Sequence, residues 1–177
     1  MTRQHPAQSE PPTVEISIIV PVMNEEKAVP ELAAEIARAL EKTGRSWEAL
    51  WVNDGSTDRT ADAVRKLAEK SARHRLVDLD RNYGQSAALS VGFRQARGSI
   101  FGTLDGDGQN DPADFPRQLQ RLDKGDVDMV NGIRVSRRDS WVRRMSSKIG
   151  NGFRNLLTGV KITGVGCAIR VFRRECV

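Results

Sequence analysis

Asp105 and Asp107 stand two residues apart in Leu104-Asp-Gly-Asp-Gly-Gln-Asn-Asp-Pro112, directly after the apolar run 99–104. Carboxylates at this spacing repel one another unless water or a cation stands among them. An Asp-x-Asp pair with a small middle residue can turn both carboxylates toward one point. A hard cation such as Mg²⁺ or Mn²⁺ takes oxygen ligands there, one or two from carboxylates and the rest from phosphates and water. Gln109 offers a further carbonyl oxygen. A solvated turn is the competing reading, and the buried strand that precedes the pair favours the metal. A second acidic position, Asp54, ends the apolar run in Val52-Asn-Asp-Gly-Ser-Thr-Asp58. A carboxylate there can accept the N–H of a pyrimidine or guanine ring, although Asp54 and Asp58 are also suitable helix caps. The stretch Pro21-Val-Met-Asn-Glu-Glu26 holds the same relation to the first apolar run. Its backbone from Pro21, with Asn24 and Glu25, is a candidate lining for a base and ribose. Glu25 and Glu26 equally suit a helix N-terminus on charge alone.

The elements that must position these residues follow from periodicity. Residues 15–22 are nearly continuously apolar and rich in β-branched side chains, as a strand buried on both faces requires. Leu32, Ile36 and Leu40 recur every four residues, which predicts an amphipathic helix over 24–44 with Gly44 as its stop and Pro30 confined to its first turn. The same reading predicts strands at 46–54, 75–80, 99–105 and 127–133. It predicts helices at 55–72, 82–98 and 111–125, with Gly98 ending the second of these and Asp111-Pro112 starting the third. Strict β-α alternation implies a Rossmann-like three-layer α/β fold with a mostly parallel central sheet. In such sheets ligands bind beyond the carboxyl ends of strands near a switch in strand order. Asp54, Asp105 and Asp107 all fall at such ends.

The chain has 177 residues, enough for one domain with a substantial core. No stretch approaches the roughly 18 apolar residues of a membrane span. The polar, Pro-containing residues 1–13 have no apolar signal region and read as a disordered leader, leaving 14–177 as the catalytic domain. Cys167 and Cys176 form no metal-ligand pattern and read as reduced cytosolic thiols. The net charge of +5 implies an anionic partner, and it is concentrated in one segment. Arg134, Arg137, Arg138, Arg143, Arg144, Lys148 and Arg154 face only Asp139 within residues 134–154. Trp141, Met145, Ile149, Phe153 and Leu156 interleave with them at helical spacing. A basic amphipathic helix of this kind suits an anionic membrane surface, each Lys or Arg contributing about 1 kcal/mol. A domain helix with a solvated basic face is the alternative. Nucleic acid is disfavoured, since no binding-fold signature accompanies the charge.

In their order, "IIVPVMNEE", "VNDGSTDRT", "NYGQSAALSVGFRQARG", "LDGDGQNDP" and the basic segment from "NGIRVSRRDS" onward resemble family 2 glycosyltransferases of the GT-A fold. The similarity is greatest to the dolichyl-phosphate mannosyltransferase and undecaprenyl-phosphate glycosyltransferase branch. The resemblance implies inverting transfer of a sugar from a nucleotide diphosphate sugar to a polyprenyl phosphate, with Mg²⁺ or Mn²⁺. It implies a peripheral protein on the cytoplasmic face of the membrane. Asp54 would contact the base, Asp105 the ribose and diphosphate, and Asp107 with Gln109 the metal. Arg134 would meet the diphosphate or the acceptor phosphate, with Arg137, Arg138, Arg143, Arg144 and Lys148 at the membrane or acceptor. Gly164 departs from the pattern, which has an Asp there. Relatives usually continue beyond the equivalent of Val177, which suggests a truncated domain and an exposed edge open to homo-oligomerisation. Two alternatives stay open: a non-catalytic nucleotide-binding remnant, and transfer to a sugar or protein hydroxyl.

Overall fold

The computed structural model describes residues 14–132 and 169–177. Five strands and four helices alternate along the chain: β1 (Ile16–Val22), α1 (Ala28–Glu41), β2 (Trp47–Asn53), α2 (Thr60–Lys70), β3 (His74–Asp78), α3 (Gln85–Gln95), β4 (Ile100–Thr103), α4 (Phe115–Leu122) and β5 (Met129–Asn131). A further strand, β6 (Arg170–Arg173), follows. The sheet order is β3-β2-β1-β4-β6-β5. Strands β1 to β4 are parallel, and β6 lies antiparallel between β4 and β5. The chain winds outward from β1 to β3, then returns to the far side of β1 with β4. The switch in strand order therefore falls between β1 and β4.

The two-residue period of the strands divides the core. Ile16, Ile18, Val20 and Val22 of β1 face one layer, where they meet Leu32, Ile36 and Leu40 of α1, Val64 of α2, and Phe115, Leu119 and Leu122 of α4. Ile19, Leu50 and Val52 face the other, under Ala88, Leu89 and Phe93 of α3. Phe93 stacks on Phe101 at 5.8 Å, and Phe172 of β6 meets both rings edge-on. Strand β6 is thus part of the core beneath α3.

Several local expectations need correction. Helix α2 begins at Thr60 and not at 55, because residues 56–60 are engaged by the preceding loop. Gly98 does not stop α3. The helix ends at Gln95, Ala96 turns extended, and Gly98 lies against the start of β1, its amide donating to Ser17 Oγ at 2.8 Å. Strand β6 had no counterpart in the periodicity reading. Asp111 does cap the turn at Pro112–Asp114, accepting from the Ala113 amide at 2.9 Å, and α4 proper starts at Phe115.

On the α3 side, one buried carboxylate ties three strands together. Glu48 Oε1 accepts from Ser17 Oγ at 2.7 Å and from the Arg97 amide at 2.8 Å, and Glu48 Oε2 accepts from Arg75 Nη1 at 2.8 Å. Burial alone would raise the Glu48 carboxyl. The hydrogen bonds from Arg75, Arg97 and Ser17, and the charge of Arg75, outweigh it and hold the group below its ordinary value. A depressed folded value means the stabilisation is complete above the unfolded carboxylate value of about 4.3 and drains as pH falls through the lower folded one. Glu48→Gln is expected to cost roughly 2 kcal/mol at pH 7. It should also flatten the acid limb, so that wild type and variant converge once pH has fallen through the lowered folded value. Urea unfolding between pH 7 and pH 3 checks both, and a gap independent of pH would contradict the account.

Candidate functional site

The loops after β1 and β2 hold each other. Asn24 adopts a left-handed conformation (φ 58°). Its amide donates to Ser56 Oγ at 2.9 Å and its Oδ1 accepts from the Thr57 amide at 2.8 Å. The Glu25 amide donates to Thr60 Oγ1 at 2.8 Å. Glu26 Oε2 accepts from the Arg59 amide, and the Glu26 amide donates to Asp58 Oδ2. At the end of β2, Asn53 Nδ2 donates to Asp78 Oδ1 at 2.7 Å, while Asn53 Oδ1 accepts from the amide and hydroxyl of Ser56. Asp58, one of the expected caps, accepts from the Thr60 amide at 2.9 Å.

These loops close one side of a cleft of about 320 Å³ at the carboxyl ends of β1, β2 and β4. Of the residues singled out from sequence, Pro21, Glu25, Asp54, Asp105 and Asp107 line it. Asn24 does not, because its side chain is spent on the latch to Thr57. Gln109 does not either. It borders a separate hollow against α1, with Arg38, Lys42 and Asn110. Met23, from the same Pro21–Glu26 stretch, lines the cleft too, and so do Asn82, Gly84 and Gln85, which were not foreseen. Asn82, Gly84 and Gln85 sit in "NYGQS", whose Asn and Gly are a turn signal before a helix. Arg134, Arg137, Arg138, Arg143, Arg144, Lys148, Gly164 and Cys167 lie outside the described residues, as do the basic helix and the leader. Cys176 is an exposed free thiol.

Asp54 is 4% exposed at the floor of the cleft. Its Oδ1 accepts from the Tyr83 amide at 2.7 Å and its Oδ2 from the Gly84 amide at 2.9 Å. The buried carboxylate is thus satisfied by the backbone amides of the two residues that precede α3. Across the cleft, Gly106 brings the Asp-x-Asp segment onto the end of β1. A Cβ there would stand 2.5 Å from Val22 Cγ1 and 2.8 Å from the Pro21 carbonyl oxygen. Any side chain at the middle position would lift the two carboxylates off that strand. Asp105 Oδ1 accepts from Gln85 Nε2 at 2.6 Å, and Asp107 Oδ1 accepts from the Gln109 amide at 2.9 Å, a local turn.

Among the described residues the lining is acidic, with no Lys or Arg in it. Burial, then the nearby charge of Asp107, then that of Asp58, push the Glu25 carboxyl above its ordinary value. Such a group titrates upward because burial disfavours its charged form and its acidic neighbours add to that cost. Among the described residues no three His, Cys, Asp or Glu side chains gather closely enough to form a metal centre. A Mg²⁺- or Mn²⁺-type ion fits this donor set, since it draws one or two carboxylates from protein and completes its shell with phosphate and water. The carboxylate oxygens in the lining are of the right hardness for it.

The parallel sheet, its two helical layers and a cleft at the β1/β4 switch define the three-layer α/β class in which ligands bind beyond strand ends. The chain belongs to glycosyl transferase family 2, whose model matches residues 17–177. It is 37% identical over 167 residues to the dodecaprenyl-phosphate galacturonate synthase of Rhizobium johnstonii, covering 93% of this chain and 49% of that protein. It is also 37% identical to the undecaprenyl-phosphate 4-deoxy-4-formamido-L-arabinose transferase of Salmonella paratyphi B, covering 94% and 51%. The chain therefore spans about half the length of the curated relatives it matches. Among solved structures it resembles the mannosyltransferase PcManGT of Pyrobaculum calidifontis in complex with GDP-Man and Mn²⁺, at 25% identity and a TM-score of 0.65, over 91% of this chain and 45% of that one. Glucosyl-3-phosphoglycerate synthase of Mycobacterium tuberculosis, in complex with Mn²⁺, UDP and phosphoglyceric acid, aligns with a TM-score of 0.71 at 20% identity, over 92% and 56%. That likeness is one of fold, and the fold is the GT-A fold. Among the described residues no helix is long and apolar enough to cross a membrane.

Proposed function

We propose that this chain transfers a sugar, with inversion, from a nucleotide diphosphate sugar to a polyprenyl phosphate, working with Mg²⁺ or Mn²⁺ on the inner face of the cytoplasmic membrane. The observation that carries the reading is the acidic cleft at the strand switch, with Asp54 at its floor and Asp105 and Asp107 at its rim. The names of the relatives support the polyprenyl phosphate acceptor.

A carboxylate has about four acceptor positions. Asp54 uses two on Tyr83 and Gly84, which leaves others for a ring N–H of the base. Pro21 and Glu25 would flank the base and ribose, and Asp105 would lie toward the ribose and diphosphate. Asp107 would hold the cation, which when bound neutralises charge gathering on the leaving nucleoside diphosphate. The bond from the anomeric carbon to the diphosphate breaks as an acceptor phosphate oxygen forms the new bond from the opposite side. That oxygen is already ionised near neutral pH, since a phosphate monoester has a second pKa of about 6. The reaction therefore needs cations that position the acceptor and no general base. Arg134 would serve the phosphates, and Arg137, Arg138, Arg143, Arg144 and Lys148 the acceptor and the anionic leaflet.

The test is transfer from a panel of radiolabelled UDP- and GDP-sugars to undecaprenyl phosphate in anionic and neutral vesicles, with Mn²⁺ or with chelator. Labelled lipid is expected from one donor, is lost with chelator, and is favoured by anionic vesicles at low salt. Metal-dependent nucleotide binding with no turnover would replace the proposal by the non-catalytic reading. Transfer to a sugar or protein hydroxyl alone would replace the acceptor.

A further inference from the structure

Helix α3 enters the cleft through two contacts that none of the family comparisons assigns. Asp54, on β2, holds the Tyr83 and Gly84 amides at the start of α3. Gln85, the first residue of α3, reaches over to Asp105 at the end of β4 with a 2.6 Å hydrogen bond. Strands β2 and β4, which flank β1, are thereby joined across the mouth of the cleft by a buried carboxylate, two backbone donors and one amide side chain.

We infer that Gln85 is a positioning residue that fixes the carboxylate plane of Asp105, and that Asp54 holds Gln85 in place for this task. The inference rests on the reading of Asp105 as a donor-site group. Hydrogen bonds in which the acceptor is ionised are short and strong, and the Gln85 contact has the length of such a bond. A free glutamine side chain has several rotatable bonds and would not hold one orientation in water without a partner. Here its backbone is fixed by the Asp54 contacts, so reaching Asp105 requires ordering of the side chain alone. Tying Oδ1 to α3 leaves the carboxylate no freedom to rotate away from the cleft. An error of about 1 Å in the placement of such a group can cost on the order of 100-fold in rate.

Three full-length variants test this: Gln85→Leu, which keeps the bulk and loses the donor, Gln85→Glu, and Asp105→Asn. The readouts are calorimetric binding of UDP and of GDP, each with MnCl₂ and with chelator, and the thermal midpoint. Gln85→Leu is expected to weaken nucleotide binding about 10- to 100-fold with MnCl₂, and to weaken it with chelator as well, with the midpoint unchanged. Gln85→Glu should separate the two properties. A carboxylate in the first turn of a helix favours the fold, so the midpoint holds or rises. The same carboxylate faces Asp105 with like charge, so Mn²⁺-dependent binding falls at least as far as in Gln85→Leu. A merely structural side chain would move both readouts together. Wild-type binding by Gln85→Leu, alongside impaired Asp105→Asn, would overturn the inference alone. Wild-type binding by Asp105→Asn would overturn the donor-site reading and the inference with it.

Discussion

Asp107→Asn is expected to abolish Mn²⁺-dependent donor binding while the fold persists. Asparagine keeps an Oδ1 for the Gln109 amide, so the turn that shapes the loop survives the change. What disappears is the formal charge that would face the cation. Metal-centred charge stabilisation in such transfers contributes several kcal/mol, and each 1.4 kcal/mol is tenfold. Transfer should therefore fall on the order of 100- to 1,000-fold. A second consequence needs no substrate. Asp107 is one of the charges that push the Glu25 carboxyl up, so in the variant Glu25 should titrate lower than in wild type. Carboxyl-carbon NMR reads this directly. Unchanged Mn²⁺-dependent affinity would remove Asp107 from the role proposed for it, and an unmoved Glu25 would mean that Asp107 does not act on that carboxyl.

Gly55→Ala should be the most damaging single-methyl change among the residues around the site. Gly55 has φ +68°, and a Cβ there would lie 2.3 Å from the Arg81 carbonyl carbon and 2.4 Å from the Asn82 amide nitrogen. The left-handed conformation costs a non-glycine residue about 1–2 kcal/mol, and overpacking against backbone adds about 1–3 kcal/mol. The sum, roughly 2–5 kcal/mol, is a large part of the 5–15 kcal/mol that holds a typical domain together. Relief of the clash moves residues 81–84 away from β2, which breaks the Asp54 contacts to Tyr83 and Gly84. Nucleotide binding should then be lost even where the protein remains folded. Gly44→Ala is the control, since Gly44 has φ +67° with nothing within 4 Å of its added Cβ. It should cost only the conformational part. Urea unfolding of the two variants gives the comparison, and equal costs would mean that the approach of residues 81–82 to Gly55 is not as close as described.

Much of the architecture could be read from the amino-acid order because each parallel strand and its helix carry distinct periods. The continuous apolar run of β1 and the spacing of Leu32, Ile36 and Leu40 each admit one reading, and both elements are where those patterns put them. Strand β6 escaped because Arg-Val-Phe-Arg is four residues long, begins and ends in charge, and becomes a strand only by lying between β4 and β5. Gly98 was legible as a break but not as a close approach, since the neighbour that demands glycine lies 81 residues earlier. At the site, Asp54, Asp105 and Asp107 were legible as carboxylates at strand ends. Asn24 and Gln109 were legible only as polar loop residues, and which way a loop side chain turns depends on partners such as Thr57 that are distant in sequence. Gln85 gave no signal, because an amide in a first helical turn looks the same whether it meets water or Asp105.

The placement of β6 bears on the order in which the sheet can be completed. Strands β1 to β4 add to one another as they are synthesised, β2 and β3 each joining the strand before it through one helix and β4 returning through α3 to the far side of β1. Strand β5 has no such neighbour, for its ladder is with β6, which also supplies the outer ladder of β4. On the ribosome, the edge of β4 that β6 covers stays bare, and β5 lacks its partner among the described residues, until residues 170–173 emerge. An uncovered edge is a template for pairing with other chains, and partly made domains are most vulnerable at this stage. The interval between the fourth and sixth strands is thus the stretch of biosynthesis in which a chaperone would have most to protect.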